Sequence, residues 1–405
     1  MRAYERLIRY AKVNTTSLEE NENTTPSGAG EWNLARLLAE DMKEIGLDGV
    51  EVDGNAYVYG FLPATPGMEH RKRLGLIAHL DTVNDLGGTD THPAVIPAYD
   101  GSVVTLGESG RVLDPDFFPH LKECVGKTLI VTDGTSVLGA DDKAGVAEIM
   151  TACETLIREK IPHGPLSVCF TPDEEIGHGA ALLDLEKFGA DWAFTVDGGA
   201  PGEIEYETFN AAAAKLSFTG LSVHPGSAKG KMINAMLTAM EANALLPADE
   251  VPARTEGREG FYHLTDMRGS VTEAELRYIL RDHDAAKFEQ RKRTMLDIAE
   301  SLNRKYGEGT VRCEIRDQYR NMAEVLEKHP EIVAQANEAI RAAGLEPISH
   351  PVRGGTDGAQ LSFRGLPCPN LGTGSYGHHG PYEHAVAEEM DAVVQILLNL
   401  TERMP

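Results

Sequence analysis

The chain has 405 residues, which is enough for two or three domains and for a buried core. Hydrophobic residues make up 41% and charged residues 25%, as in ordinary globular proteins, so a disordered or fibrous chain is excluded. With 38 basic and 63 acidic residues the net charge is −25. Nucleic acid and anionic membrane surfaces are therefore not expected as partners, because their negative charge would be repelled.

Membrane spans, signal peptides and cysteine spacing indicate the cellular compartment of a protein. No apolar stretch approaches the ~20 residues of a membrane span, and residues 1–9 lead into an amphipathic helix and not a signal peptide. The five cysteines show no C-x-x-C spacing, and their odd number argues against a disulfide framework. We expect a cytoplasmic protein.

Apolar runs alternate with helical periodicity in the first half of the chain, which predicts βαβ units and an α/β fold with a largely parallel sheet. Three of the predicted strands are followed at once by residue types that bind metals. Because ligands of open α/β sheets bind beyond the carboxyl ends of the strands, we expect the site there. The predicted strands are 74–78, 128–131, 166–170 and 192–196, and the predicted helices include 35–45 and 143–156.

From about residue 210 the predicted order changes to βαββαβ, which matches the ferredoxin-like unit. The strands are 213–218, 261–267, 275–280 and 310–315, and the helices are 232–246 and 286–306. After residue 317 the α/β pattern resumes and ends in a helix, 388–403. We therefore predict a first domain of residues 1–208 and 319–405, interrupted by an inserted domain of residues 209–318.

The first polar strand end is the H-x-D sequence at His79 and Asp81. In a tightening loop Asp81 can fold back onto the imidazole and fix its tautomer, as carboxylates behind metal-bound histidines do. A histidine hydrogen-bonded in an ordinary loop is the alternative when this motif is taken alone.

Adjacent carboxylates follow two further strands. Asp141 and Asp142 open a predicted helix, where one aspartate suffices for an N-cap and the other is free to bridge two metal ions. In D-E-E-I-G (173–177), Glu174 and Glu175 permit a division of labour in which one binds metal and the other acts as a general base. Ordinary capping and a solvated acidic turn are the alternatives.

Two more elements complete the pattern: Asp197, at the end of a fourth apolar run, and the glycine-rich loop 377–384 with its three histidines. Carboxylates and imidazoles without thiolates suit Zn, Mn or Co. Together these elements predict two metal ions ~3.5–4 Å apart and hydrolysis as the reaction class. A G-x-G-x-x-G match at 372–377 lies near the chain end and is followed by H-H-G-P, so we do not expect a dinucleotide site.

The motifs taken in order resemble a known family. They are H-x-D, G-A-D-D-K-A-G, D-E-E-I-G, V-D-G-G, H-P-G-x-A, R-G-G-T-D-G-A and a late H-G. This series is similar to the peptidase T family of tripeptide aminopeptidases, which belongs to a co-catalytic zinc family with dipeptidases, aminoacylases, carboxypeptidases and succinyl-diaminopimelate desuccinylase. The resemblance covers nearly the full length, and E-G-F-Y-H-L (259–264) and Arg281-Asp282 resemble peptidase T in particular.

The resemblance implies a role for each motif residue. Two zinc ions, replaceable by Mn²⁺ or Co²⁺, would be held by His79 and Asp197, by Glu175 and His379, and by a bridging Asp141. Asp81 would orient His79, Glu174 would be the general base, and the Asp141–Asp142 peptide bond would be cis.

The resemblance also implies that the inserted domain is a lid and that residues in and after it bind substrate. His224 of the lid would stabilise the oxyanion, while Arg281 and Asn234 of the lid and Arg353 of the first domain would bind the peptide. Members of the family with such a lid can dimerise through it, so a homodimer is a further expectation. This chain departs from the pattern at His378, which stands where peptidase T has an aromatic residue and which competes with His379 as a ligand.

The implied function is removal of the N-terminal residue from short peptides, above all tripeptides. One alternative is a related di-zinc amidohydrolase of the dipeptidase, aminoacylase or carboxypeptidase type acting on another small amide. The second alternative is a non-catalytic metal- or peptide-binding protein, which has no need of an unligated Glu174.

Overall fold

A computed structural model describes residues 1–21, 23–86 and 90–403, and the chain divides into two compact units. The first unit comprises residues 1–206, 324–349 and 356–405, and the second comprises 207–323 and 350–355. The helices are α1 Ala3–Ala11, α2 Glu31–Ile45, α3 Ala140–Glu159, α4 Leu185–Phe188, α5 Ala235–Ala244, α6 Ala285–Tyr306, α7 Ala323–Leu326, α8 Pro330–Ala342, α9 Asp357–Phe363 and α10 Ala387–Arg403.

The strands of the first unit that precede the second are β1 Asp48–Val52, β2 Val58–Leu62, β3 Leu74–His79, β4 Ala94–Ile96, β5 Val104–Leu106, β6 Arg111–Leu113, β7 Leu129–Val131, β8 Leu166–Thr171, β9 Trp192–Gly198 and β10 Ile204–Glu205. Those of the second unit are β11 Asn210–Thr219, β12 Phe261–Gly269, β13 Glu273–Asp282 and β14 Val311–Tyr319. The last three, β15 Asn370–Gly372, β16 Ser375–Tyr376 and β17 His384–Val386, return to the first unit.

The first unit is built on a seven-stranded sheet in the order β1-β2-β8-β3-β9-β15-β10. The four central strands, β8, β3, β9 and β15, are parallel, and the pairs at both edges are antiparallel. The predicted α/β class is confirmed, and the sheet is mixed, with its parallel part at the centre.

The central strands are continuous apolar runs because both faces of the sheet are covered. In β3, Leu76 and Ala78 belong to the large core formed with α1, α2, α3 and α10, while Ile77 belongs to a separate core on the other face. This burial fixes the register of the strands. The polar residues at their carboxyl ends therefore have defined positions relative to one another.

A smaller sheet of the first unit has the order β16-β17-β7-β4, and β5 pairs with β6 in a hairpin. The apolar run 128–131, predicted as a strand of the parallel sheet, forms β7 in this smaller sheet and pairs antiparallel with β4 and β17. That part of the prediction is wrong because a short apolar run carries no information about its partners.

The second unit has the order β11-α5-β12-β13-α6-β14 and one antiparallel sheet, β12-β13-β11-β14. The predicted βαββαβ arrangement is therefore present. In β13 the buried residues alternate, with Leu276, Tyr278 and Leu280 packed under the helices. Among the helices in the described ranges, none combines the length and apolar character that crossing a bilayer requires.

Candidate active site

Four of the predicted site residues lie at the carboxyl ends of three neighbouring strands of the large sheet. β3 ends at His79, β9 has Asp197 as its penultimate residue, and β8 runs into the turn that carries Glu174 and Glu175. Since β8, β3 and β9 are adjacent and parallel, their carboxyl ends meet. The residues that follow these strands are therefore close to one another, as the sequence predicts.

The first group of potential metal ligands contains His79, Asp141 and Asp197. His79 Nε2 lies 3.0 Å from Asp141 Oδ1 and 3.5 Å from Asp197 Oδ1, and its side chain is only 2% exposed. Burial alone would lower the pKa of His79, yet the two aspartates raise that pKa well above its usual value. This position attracts positive charge strongly.

The second group contains Asp141 again, with Glu175 and His379. His379 Nε2 lies 3.2 Å from Asp141 Oδ2 and 3.2 Å from Glu175 Oε2. These two carboxylates raise the pKa of His379 to about 11, while burial raises the pKa of Glu175 to about 7. Asp141 therefore presents one oxygen to each histidine and is common to both groups.

The donor set fits a pair of divalent cations. Three carboxylates and two imidazoles, with no thiolate, are ligands suited to zinc, manganese or cobalt. Within each group the potential ligand atoms lie within 4.8 Å of one another. In addition, Glu175 Oε1 is buried and has no hydrogen-bond partner among the described residues. A bound cation would satisfy this acceptor, which is otherwise costly to bury.

The side chains of the two adjacent aspartates contact different groups. The buried Asp142 accepts the backbone N–H of Gly145 (3.2 Å) and that of His79 (3.1 Å), so it anchors the start of α3 to β3. Asp141 faces the histidines. The peptide bond between the two residues is cis, as the resemblance implies.

Asp81 contacts more groups than its expected partner His79. Its Oδ1 lies 3.4 Å from His79 Nδ1, and its backbone oxygen is 3.1 Å from the same nitrogen. It also accepts the backbone N–H groups of Glu174 (2.9 Å) and Glu175 (3.1 Å). One buried carboxylate thus orients the first histidine and the acidic turn together.

The side chain of Glu174 differs from that of its neighbour Glu175 in its contacts. Its carboxylate makes no hydrogen bond or ion pair within the described ranges, whereas Glu175 contacts His379. Burial is the main cause that raises the pKa of Glu174 well above its usual value, with a smaller effect from Asp197. A carboxylate with a raised pKa and no ligand role is suited to general-base chemistry.

The two histidines of the late loop have different surroundings. His379 has a positive φ of 60° that directs Nε2 towards both carboxylates. His378 Nε2 instead contacts Ser375 Oγ at 2.9 Å, and its Nδ1 is 3.7 Å from Asp141. This geometry favours His379 as the ligand.

The predicted residues of the second unit include His224 and Asn234. His224 is exposed, and its Nδ1 accepts the N–H of Gly226 at 3.1 Å, so Nε2 carries the proton in the neutral ring. Asn234 Oδ1 caps α5 by accepting the N–H groups of Met236 and Leu237. His224 is therefore set to donate a hydrogen bond from Nε2, and Asn234 retains only its amide N–H₂ for a ligand.

The two predicted arginines both donate to groups of the second unit, and Arg281 also lies over the ring of Tyr319. Arg281 contacts the backbone oxygen of Leu280 (3.0 Å) and Gln318 (3.1 Å), and burial lowers its pKa. It forms no ion pair within the described ranges, so its positive charge has no anionic partner there.

Arg353 also uses its donors within the second unit. It donates to the backbone oxygens of Gly257 (2.9 Å) and Glu259 (2.8 Å) and to Thr255 Oγ1 (2.8 Å). Its guanidinium also lies over the rings of Phe209 and Phe261, 5.2 and 5.6 Å from their centroids. In this conformation Arg353 holds the connection 255–259 in place.

Sequence reasoning missed Glu383 and Glu31. Glu383 is 1% exposed, and its carboxylate accepts the N–H groups of Gly139 (2.8 Å) and Asp141 (2.9 Å), so it holds the backbone at Asp141 in place. Glu31 accepts the N–H of Asp173 at 3.0 Å. Neither role has a local sequence signature, although the position of Glu383 four residues after His379 is a clue.

Comparison with known proteins identifies the relatives of this chain. The model of "Peptidase family M20/M25/M40" matches residues 138–403. A peptidase T from Geobacillus kaustophilus is 51% identical over 398 residues, covering 98% of this chain and 96% of the relative.

Solved structures share the fold. A tripeptidase from Staphylococcus aureus superimposes with a TM-score of 0.79 at 21% identity and covers 99% of this chain and 97% of its own. A dinuclear metal-binding peptidase of the same family from Bacillus subtilis has a TM-score of 0.65 at 14% identity, with coverage of 98% and 97%. At these identities the likeness concerns the fold alone.

Proposed function

The chain belongs to Peptidase family M20/M25/M40, and we propose that it is a tripeptide aminopeptidase that uses two zinc ions. One observation carries the proposal: Asp141 lies 3.0 Å from His79 and 3.2 Å from His379 through different oxygens, so a single carboxylate joins two potential metal positions. The 51% identity to a peptidase T over nearly the whole chain supports the choice of substrate.

In this proposal His79 and Asp197 would hold one zinc ion and Glu175 and His379 the other, with Asp141 as a ligand common to both groups. Zinc at these positions would polarise the scissile carbonyl and lower the pKa of a shared water. Mn²⁺ and Co²⁺ suit the same ligands.

The remaining chemistry belongs to the side chains of this chain. Glu174 takes a proton from the attacking water and gives it to the leaving amine, which its unpaired carboxylate and raised pKa support. His224 donates from Nε2 to the oxyanion that forms at the first peptide carbonyl. Asp81 keeps His79 and the Glu174 turn in register.

Peptide binding uses the cationic side chains of the second unit. Arg281, which lacks an anionic partner within the described ranges, binds the carboxylate of the peptide, because a guanidinium fork matches a carboxylate. Arg353 and the amide group of Asn234 assist. Arg353 must first release part of its contact with residues 255–259. In this proposal the second unit is the lid through which a homodimer forms.

The test is the release of the first residue from di-, tri- and tetrapeptides with free amino termini, compared with N-acetylated tripeptides and N-acyl amino acids. We expect tripeptides to be cleaved fastest, loss of activity with a chelator, and recovery on adding zinc. Preferential hydrolysis of N-acyl amino acids, or activity that a chelator does not affect, would contradict the proposal.

A further inference from the structure

The late loop that carries His379 is the tip of the hairpin formed by β16 and β17. Tyr376 and His384 are the last residues in register before this loop, and β17 also pairs with β7. Within the loop, Glu383 accepts two backbone N–H groups, one of them that of Asp141. The base of the hairpin therefore supports both a potential metal ligand and the acid that holds the backbone at Asp141.

The side chain of His384 is fully buried at this base and uses both of its ring nitrogens. Its Nδ1 lies 2.8 Å from the carbonyl oxygen of Tyr382, and since a carbonyl oxygen only accepts, Nδ1 carries a proton. In the neutral ring, Nε2 is then a bare acceptor. The contact between His384 and Tyr382 encloses Glu383, so the orientation of the ring is linked to that of the Glu383 backbone.

His120 supplies the donor that Nε2 of His384 needs. The Nε2 atoms of the two rings are 2.7 Å apart, and the ring planes differ by only 11°. Because His384 has its proton on Nδ1, the proton between the two Nε2 atoms belongs to His120. His120 lies in the short 3₁₀ helix Pro119–Glu123, 264 residues earlier in the chain. The hydrogen bond therefore joins a distant segment to the hairpin.

The surroundings of the two histidines keep both rings in place and uncharged. The ring of His120 stacks on that of Tyr376 at a centroid distance of 4.1 Å. The acid Glu389 is already bound by the hydroxyl of Tyr376 at 2.6 Å and by Lys127 Nζ at 2.7 Å. Burial lowers the pKa of His120 and lowers that of His384 to about 4, so both rings are neutral near pH 7.

We propose that the hydrogen bond from His120 to His384 makes these two histidines positioning residues for Glu383 and, through it, for the backbone at Asp141. Without this donor, the lone pair of His384 would be buried with no partner, which is costly. The ring would then lose its hold on Tyr382. The inference rests on the proposed function only in that a metal must bind for the positioning to matter to the reaction.

The hydrogen bond is tested by nitrogen NMR of the full-length, zinc-loaded protein with isotope-labelled histidine. We expect His384 to carry its proton on Nδ1 and His120 on Nε2, with a scalar coupling between the two Nε2 nuclei across the hydrogen bond. The coupling should be lost in His120→Phe, which keeps a ring on Tyr376 but removes the donor. A proton on Nε2 of His384, or no coupling in the wild type, would contradict the proposal.

The energetic link between the two residues is tested by denaturant unfolding of the wild type, the single variants His120→Phe and His384→Phe, and the double variant. His120→Phe should raise the unfolding constant by about 10–100-fold, because a buried acceptor loses its donor. In the background of His384→Phe the same change should raise it by less than about threefold, since no acceptor remains. Equal effects of His120→Phe in the two backgrounds would contradict the hydrogen bond.

The positioning role is tested by zinc affinity, measured by titration with a competing chelator. His120→Phe should weaken zinc binding by about tenfold, because the loop loses its support. His120→Gln keeps an N–H donor and should stay within about threefold of the wild type. His70→Phe replaces an exposed histidine of the same unit and should leave the affinity unchanged. Unchanged affinity in His120→Phe, or an equal loss in His120→Gln, would overturn the positioning role.

These outcomes separate the two levels of inference. If the wild type cleaves no peptide, the proposed function fails, while the NMR, unfolding and zinc measurements still decide the role of the two histidines. If His384→Phe does not fold, His120→Phe and His120→Gln suffice for the test, because they differ in the presence of the donor.

Discussion

The two units present their predicted functional residues in different ways. In the first unit, the potential ligands come from separate elements and are held together by buried acids such as Asp81 and Glu383, which bind the backbone of the ligand turns. In the second unit, Asn234 caps its own helix and Arg353 holds its own connection. The potential metal ligands thus rest on a framework of buried acids, whereas the residues predicted to bind substrate have local structural roles.

The largest expected effect concerns Glu174, the proposed general base. Replacing Glu174 with Gln should lower kcat for a tripeptide by about 10³–10⁴-fold, because the amide cannot accept the proton of the attacking water. Zinc content, measured by elemental analysis, should remain at the wild-type level.

Its matched control is Glu175→Gln, the neighbouring residue, which should lose zinc along with activity because Glu175 contacts His379. If the two variants behaved alike in zinc content, the division of labour between these residues would be wrong.

The next effect tests whether the second unit takes part in chemistry. His224→Ala should reduce kcat by ~10²–10³-fold with little change in KM, since an oxyanion donor acts mainly in the transition state. Lys229→Ala changes an exposed residue of the same segment and should have no such effect. Equal kcat values for His224→Ala and the wild type would remove His224 from the mechanism.

A smaller effect is expected when the hydrogen bonds that hold the backbone at Asp141 are removed. Glu383→Ala leaves the N–H groups of Gly139 and Asp141 without their acceptor, so zinc affinity should fall by about 10–100-fold. Glu383→Gln keeps one acceptor and should lie between the wild type and the Ala variant. Titration with a competing chelator measures both, and unchanged affinity in the Ala variant would show that the contact does not support the site.

The smallest effect concerns recognition of the peptide carboxylate. Arg281→Ala should raise KM by about tenfold for tripeptides with a free carboxyl terminus but not for their amides, because a charge-assisted hydrogen bond is lost. Arg277→Ala, an exposed arginine on the same strand that pairs with Glu275, is the control. An equal rise in KM for amidated peptides would point to a structural role for Arg281.

Three of the seven strands of the large sheet, β3, β8 and β9, and the turns that follow them were predictable from the sequence. Runs such as 74–78 and 192–196 are apolar because both faces are covered, and the polar residue at each end then stands out. The βαββαβ order of the second unit follows from the same local periodicities.

The supporting acids were not predictable. Helix α2 begins at Glu31 and not at residue 35 as predicted, so the residue that binds the Asp173 amide fell outside the predicted helix. Contacts from a carboxylate to distant backbone amides leave no periodic pattern in a sequence. Similarly, the partners of β7 depend on strands that lie far away along the chain.

The account as a whole depends on two cations sharing Asp141. Crystals of the zinc-loaded protein should give two anomalous scattering peaks at the zinc edge, ~3.5–4 Å apart. One peak should lie against His79 and Asp197, the other against Glu175 and His379, and Asp141 should contact both. A single peak at full occupancy, or two peaks that do not share Asp141, would contradict the account.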